Sequence, residues 1–475
     1  MPVDGGHDGG GEPCGDEPRA PRSRSRCSSP AATTSPASPA PRRRSTARST
    51  PRPNPTPTPA SPPTLRSTPH PTPTPTPRPH PTPTPRPTPN PPQPPPPAKP
   101  TRPPPAPTPP PTPANTAPRP RPLAGRLRAA RVIAADLDAD GRLDLAAAGY
   151  DGTLHHWLQA PDRRLRPGPV LPVPGGPIDL AAGDFDGDGT LDLAVALVDA
   201  RAVRLWYNRT PWTEGPLIAL PGAPFALAAG DLDGDGRADL ATADYHRGGA
   251  DVLLAARDFA PVTHRTGVEP HGLTLRDVDR DGHLDLLVAN AGTHDPARDR
   301  VSLRYGDGRG GFDAGLDLTV GDGPFWIDAA DLDADGHLDL AVANYGTPGP
   351  DGYRGGDTVS ILRGLGARRF APAVDVPTGD GPTHLAIADL DRDGDLDLVT
   401  ADRGDYDFAR RLTTGGATLT ALLNDGHAAF PTRRTIALPA APVGVLAIDL
   451  DRDRLVELLA AVIDDWRVHR VDQRP

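Results

Sequence analysis

From about residue 123 onward, short apolar runs alternate with turn residues at a regular beat. One unit shows the pattern. Ile178–Gly183, Leu193–Leu197, Val203–Tyr207 and Leu217–Leu220 are apolar, and the segments between them are rich in Asp, Gly and Pro. Runs of four to six residues bounded by turn formers predict β-strands rather than helices. Between the first and second run of each unit lies Asp-x-Asp-x-Asp-Gly-x-x-Asp. It starts at Asp136, Asp184, Asp231, Asp277, Asp331 and Asp389, and an altered copy starts at Asp449. Successive starts are 48, 47, 46, 54, 58 and 60 residues apart. Four short strands in a repeat of this length predict a propeller blade, and seven repeats predict seven blades. The expected fold is all-β, a seven-bladed β-propeller preceded by a disordered Pro/Thr-rich segment.

Two further markers set the register. Pro177, Pro224, Pro270, Pro324, Pro382 and Pro442 each stand seven residues before their Asp motif, where the first unit has Ala129. Proline at a strand's first residue loses no ladder hydrogen bond. Small residues such as Ala181-Ala182-Gly183 and Ala228-Ala229-Gly230 end the first strands and suit a crowded axis. The last unit has three strands, Val443–Ala447, Leu458–Ile463 and Arg467–Val471, and no fourth. Leu123–Ala129 precedes the first unit without a blade of its own. It is expected to supply the missing outer strand and close the ring, since an open ring leaves two exposed edges. The rival reading is that it continues the linker.

Composition divides the chain into 1–122 and 123–475. The first part is Pro, Thr, Ser, Ala and Arg with few large apolar side chains, and 69–89 alternates Thr and Pro almost strictly. Such a segment cannot bury enough surface to offset its chain entropy, and its prolines favour a solvated, extended spacer. Charge divides at the same place, +11 over 1–122 and −21 over 123–475. The acidic sign of the second part disfavours nucleic acid as a partner. Both cysteines, Cys14 and Cys27, lie in the first part, so no disulfide framework is expected to hold the blades. No apolar run reaches the ~18–20 residues of a membrane span, and no signal-peptide pattern is visible at the start.

The Asp motif is hard-cation chemistry, and the cation is most simply calcium, which takes oxygen ligands in a flexible shell. In the first loop Asp136, Asp138, Asp140 and Asp144 offer carboxylates and Arg142 a carbonyl. The second loop offers Asp184, Asp186, Asp188, the Thr190 carbonyl and Asp192. The third offers Asp231, Asp233, Asp235, Arg237 and Asp239, and the fourth Asp277, Asp279, Asp281, His283 and Asp285. The fifth has Asp331, Asp333, Asp335, His337 and Asp339, and the sixth Asp389, Asp391, Asp393, Asp395 and Asp397. Glycine at the sixth position permits the sharp turn. About six calcium sites are expected. The seventh copy, Asp449, Asp451 and Asp453, has Arg454 for the glycine and Glu457 for the last Asp, so it is expected to be strained, positively charged, and weak or empty.

These loops, with the Leu340–Asn344 run and the Gly-rich turn Gly306–Phe312, resemble the FG-GAP or VCBS-type repeats of integrin alpha subunits and bacterial surface proteins. The likeness covers roughly 123–475. It implies a calcium-binding propeller, extracellular or at the cell surface, that binds proteins or glycans and is seldom catalytic. The Gly-Ala-Pro element after the second strand is replaced here by Ala-Asn or Ala-Asp, which is closer to the bacterial branch.

The leading expectation is therefore a calcium-stabilised binding or adhesion module, monomeric, with its protein or glycan ligand on the face opposite the calcium loops. The alternatives are a polysaccharide-processing enzyme on the same scaffold and a structural surface protein without a discrete ligand. No catalytic constellation stands out. The longest loops of the expected binding face are Ala291–Arg300, Tyr345–Asp357 and Asp402–Gly416. His294, Tyr345, Tyr353, Tyr406, Trp326 and His384 are candidates for one patch there. His271 and His384 stand near the starts of first strands, where they could meet around the axis, and surface histidines are the preferred reading.

Overall fold

The computed structural model describes residues 120–123, 127–292, 299–349, 352–407, 412–463 and 467–472. The proposed spacer, up to residue 119, lies outside them, as does His294. The described residues form seven sheets built around four-stranded blades, ordered from the axis outward. Blade two is representative. Pro177–Gly183 is innermost, followed by Asp192–Leu197, Ala202–Tyr207 and the outer strand Thr213–Ala219.

The second strands explain why the sequence reads as continuous apolar runs. Every residue of Asp192–Leu197 is buried. Leu193, Val195 and Leu197 pack toward blade one, in a cluster with Ala146, Ala148 and Leu154. Ala194 and Ala196 face the other way, with Leu227, Leu240 and Leu253 of blade three. A strand covered on both faces has no polar side to show. Each blade therefore shares its two faces with its neighbours, and the core is a ring of clusters between blades.

The first strands share a defect. In all seven, the register shifts just after the opening residue, as between Ala129 and Arg131, Pro177 and Asp179, or Pro324 and Trp326. A bulge at a strand's start re-aims the side chains next to it. Its consequence for the axis is taken up below.

The ring closes through the N-terminal side of the propeller, but not at the expected residues. Arg121 pairs with Arg470 and Pro122 with His469, and the Leu123 amide donates to the Val468 carbonyl at 2.8 Å. The outer strand of blade seven is thus Arg121–Pro122, just upstream of Leu123–Ala129 and within the stretch that composition assigned to the spacer. Ala129 instead opens the innermost strand of blade one. Leu127 and Ala129 are buried between the two blades with Leu459, Ala461 and Val468. An outermost strand tolerates proline, so the Pro-rich run gave no sign of where pairing begins.

Two of the expected loops are ordered as sheet. Blade five's middle strands lengthen into a hairpin, Asp339–Gly349 and Gly352–Leu362. An insertion in blade six contributes Asp405–Asp407 and Leu412–Thr414, and Gly352 pairs with Asp407 and Tyr353 with Tyr406. Blades five and six therefore share a ridge on the face opposite the Asp loops.

Candidate metal centres

Each Asp loop joins the first strand of a blade to the second. Its first aspartate shapes the turn. Asp136 accepts the amides of Asp140 (3.0 Å) and Gly141 (2.8 Å), and Asp331 does the same for Asp335 and Gly336. The glycine takes a left-handed conformation, with φ from +82° at Gly141 to +99° at Gly394. The fifth-position carboxylate accepts the seventh-position amide, as Asp140 does from Arg142 and Asp281 from His283, both at 2.9 Å.

The ninth-position aspartate is fully buried in all six regular loops. One of its oxygens accepts the second-position amide of its own loop, and the other accepts an amide at or just beyond the end of the third strand. Asp192 takes Phe185 (3.1 Å) and Asn208 (2.8 Å), Asp339 takes Leu332 (2.9 Å) and Gly364 (2.7 Å), and Asp397 takes Leu390 and Asn424 (both 2.8 Å). This carboxylate locks the loop to the blade. Burial pushes Asp192, Asp239, Asp285, Asp339 and Asp397 up to about 6, with the neighbouring loop carboxylates adding to the rise and the two amides opposing it.

The residues that converge are positions one, three and nine. Ligand oxygens of Asp136, Asp138 and Asp144 lie within 4.8 Å of one another, and the corresponding triads of the second to fifth loops do the same. An all-oxygen set with more negative charge than its hydrogen bonds neutralise fits a hard divalent cation. Such a cation would be held by these triads, supply positive charge between them, and relieve their repulsion.

The seventh loop keeps the same backbone. Asp449 accepts the amides of Asp453 (3.0 Å) and Arg454 (2.8 Å), and Glu457 accepts that of Leu450 (2.9 Å). Arg454 sits at φ +67° in the glycine's place, a conformation costly for any residue with a Cβ. The positive charge at this loop comes from elsewhere. Arg470 Nη2 is 2.7 Å from Glu457 Oε1 and 3.8 Å from Asp451 Oδ2, and Arg163 is 3.8 Å from Asp451. Exposed arginines also meet regular loops, as Arg209 meets Asp186 and Arg363 meets Asp333, but these side chains are 54% and 55% exposed against 20% for Arg470. Arg470 is built into its blade, at the position where a cation would stand.

Sequence reasoning missed the residues that link the loops around the ring. Gln159 donates through Nε2 to the Leu450 carbonyl (2.8 Å), Asn424 through Nδ2 to Leu332 (2.7 Å), and Asn208 to Leu137. Each reaches from the end of a third strand to the second position of the preceding blade's loop. The available signal was a lone amide residue directly after a third apolar run.

The candidate patch is only partly assembled. Trp326 and His384 meet, with ring centroids 4.2 Å apart. Tyr345 is buried against Phe325 (5.1 Å), and Tyr406 lies beside Arg403 (4.5 Å). The side chain of Tyr353 lies outside the described residues. His271 and His384 are not surface histidines. They are 3% and 6% exposed, and both face the axis, because the bulge in each first strand turns them inward.

A model of the FG-GAP-like repeat matches residues 136–195, 277–342 and 346–400. No curated protein sequence matches significantly. Among solved structures, BBS1N in complex with ARL6DN is similar at TM-score 0.51 and 14% identity, over 75% of this chain and 96% of that one. Virginiamycin B lyase from Staphylococcus aureus gives 0.47 at 11% identity, over 72% and 99%. An Agrocybe aegerita lectin that recognises non-reducing terminal N-acetylglucosamine gives 0.42 at 18%, over 71% and 96%. At such identities the likeness is one of fold alone. No helix among the described residues is long and apolar enough to cross a membrane. The Asp loops, the four-stranded blades that carry them and the three matched stretches together show FG-GAP-like repeats in three regions of a chain folded as a seven-bladed β-propeller.

Proposed function

We propose that the protein is a calcium-stabilised binding module that works outside the cell or at its surface. The observation that carries this reading is the repeated triad of carboxylates at positions one, three and nine, whose ninth member is buried in every regular loop. Six loops of one geometry are a scaffold feature, since a reaction needs one site rather than six. Millimolar free calcium outside cells matches the weaker class of oxygen-ligand sites. The partner, a protein or a glycan, is assigned to the face opposite the Asp loops. There the shared sheet of blades five and six gives a rigid platform for recognition. BBS1N, which shares the fold, was crystallised in a complex with ARL6DN, an example of a propeller that engages a protein. The reading is tested by calorimetric titration of chelator-treated protein with calcium, followed by a glycan and protein array probed with and without chelator. Six sites with array binding that depends on calcium is the expected result. Absence of calcium binding at millimolar concentration would overturn it.

A further inference from the structure

An unbroken strand points successive side chains to opposite faces. The bulge after the opening residue turns two successive residues of a first strand toward the axis, such as Arg131 after Ala130, Asp179 after Ile178, and His384 after Thr383. First strands of all seven blades contribute to the wall of one axial cavity of about 130 Å³, at the end opposite the Asp loops. Tyr150 and Arg403, each following a second strand, complete it.

The polar groups of this cavity are unevenly matched. Arg131 reaches across the axis. Its Nε is 3.3 Å from Asp179 Oδ1, and its guanidinium lies 4.2 Å from the centroid of Trp326. The Asp179 carboxylate also accepts the amides of Leu180 and Leu227, both at 2.9 Å. The charge of Arg131 is therefore met by an ion pair within the protein, although its Nε makes no hydrogen bond. That of Arg403 is not. It packs over Tyr406, forms no ion pair among the described residues, and its Nε is buried without a hydrogen bond. His384 is 6% exposed and lies tilted against Trp326, and neither of its ring nitrogens has a partner. Unpaired buried polar groups are costly, and here they are mostly donors. The remaining wall is mostly apolar, chiefly Phe225, Phe325, Ile178 and Val443, with His271 and Thr383 as its further polar members.

A surplus guanidinium, an unpartnered imidazole and aromatic walls define the missing occupant. We propose that the axial cavity binds a small organic monocarboxylate, with its carboxylate between Arg403 and His384 and its apolar body against Phe225 and Phe325. Burial holds His384 well below the usual imidazole range, so it is neutral at pH 7 and offers one N–H to an anion. The size suits a single ring or a short chain, since a cavity of about 150 Å³ accepts benzene. This site stands on the first strands and is independent of calcium at the loops.

The test is calorimetric titration of the full chain, in saturating calcium, with benzoate, benzamide and inorganic phosphate. Benzoate is expected to bind at one site with a Kd on the order of 1 mM or tighter, and benzamide and phosphate at least about tenfold more weakly. Arg403→Gln should weaken benzoate about tenfold or more, because it removes a charge-assisted contact. Arg403 makes no side-chain hydrogen bond in the free protein, so its melting temperature should stay near that of the parent. Val443→Phe, which fills the cavity, should abolish binding. The proposal fails if benzoate does not bind up to about 20 mM, if benzamide or phosphate binds as well as benzoate, or if Arg403→Gln leaves the affinity unchanged in a folded protein.

Discussion

At the residue scale, single side chains do work that the repeat pattern alone does not announce. The residue five positions past a loop's last aspartate is one case. Asp244, Asn290, Asn344 and Asp402 are buried, and each lies against a glycine leading into a first strand, Gly222, Gly267, Gly321 and Gly379. At Gly379 a Cβ would lie 2.2 Å from Asp402 Oδ2, and that carboxylate already holds the hydroxyls of Thr418 and Thr420. Gly379→Ala should destabilise by about 1–3 kcal/mol, measured by urea unfolding. His271 is another case. It sits among Phe225, Tyr245 and Phe325, and burial lowers it to about 4 from an ordinary 6.5. The unfolded imidazole takes a proton below pH 6.5, and the folded one does not until about pH 4. Stability present at neutral pH is therefore lost as pH falls through that window, by on the order of 3 kcal/mol at most. In urea titrations between those limits with calcium held saturating, His271→Phe should lose less stability than the parent. A third residue-scale contrast lies in the loops. Asp333→Ala should remove one calcium and lower the melting temperature in calcium. Asp451→Ala should leave the calcium count unchanged, because Arg470 already pairs with Glu457 of that loop at 2.7 Å and reaches Asp451 at 3.8 Å. Native mass spectrometry in calcium checks both.

At the element scale, the strands were legible because burial on both faces removes the polar alternation that would blur them. The second strands, such as Leu193–Leu197, stood out for that reason. The outermost strands were poorly legible, because their backbone pairs on one side only and their side chains are mostly exposed, as in Thr213–Ala219 and Thr432–Ala437. The closing strand is the extreme instance. Two residues of a Pro-rich run, Arg121–Pro122, complete blade seven through Arg470 and His469. A chain shortened to begin at residue 118 should keep the melting temperature of the full protein. One beginning at Leu127 should melt several degrees lower, because the third strand Arg467–Asp472 then becomes an unpaired edge. Equal melting of the two would place the closure elsewhere. The insertions of blades five and six show the opposite error. They read as loops because Gly, Asp and Pro dominate them, yet each finds a strand partner in the other. Pairing between segments some fifty residues apart leaves no local period to detect.

At the scale of the whole molecule, six crowded carboxylate loops sit on one face of a closed ring, and each adds like charge to a buried aspartate. Calcium bound only to the folded state should stabilise it by mass action, so excess chelator is expected to lower the melting temperature by many degrees. Identical melting curves in calcium and in chelator would refute this. The sequence by itself determined the blade count, the register of each blade and the loop carboxylates, because these are repeated local patterns of period, turn chemistry and spacing. It also marked the seventh loop as deviant through Arg454 and Glu457, although the cation substitute there, Arg470, comes from another strand. Only the tertiary structure decided what depends on closing the ring. That includes the strand that seals it, the amide residues that join neighbouring loops, and the axial cavity where Arg131, Asp179, His384 and Arg403 meet. Arg131, Asp179 and His384 hold the same place in their repeats, five residues before the Asp motif, but the residue type there changes from blade to blade, and Arg403 joins them from the end of a second strand. Side chains brought together by a circular arrangement of units become neighbours through geometry alone.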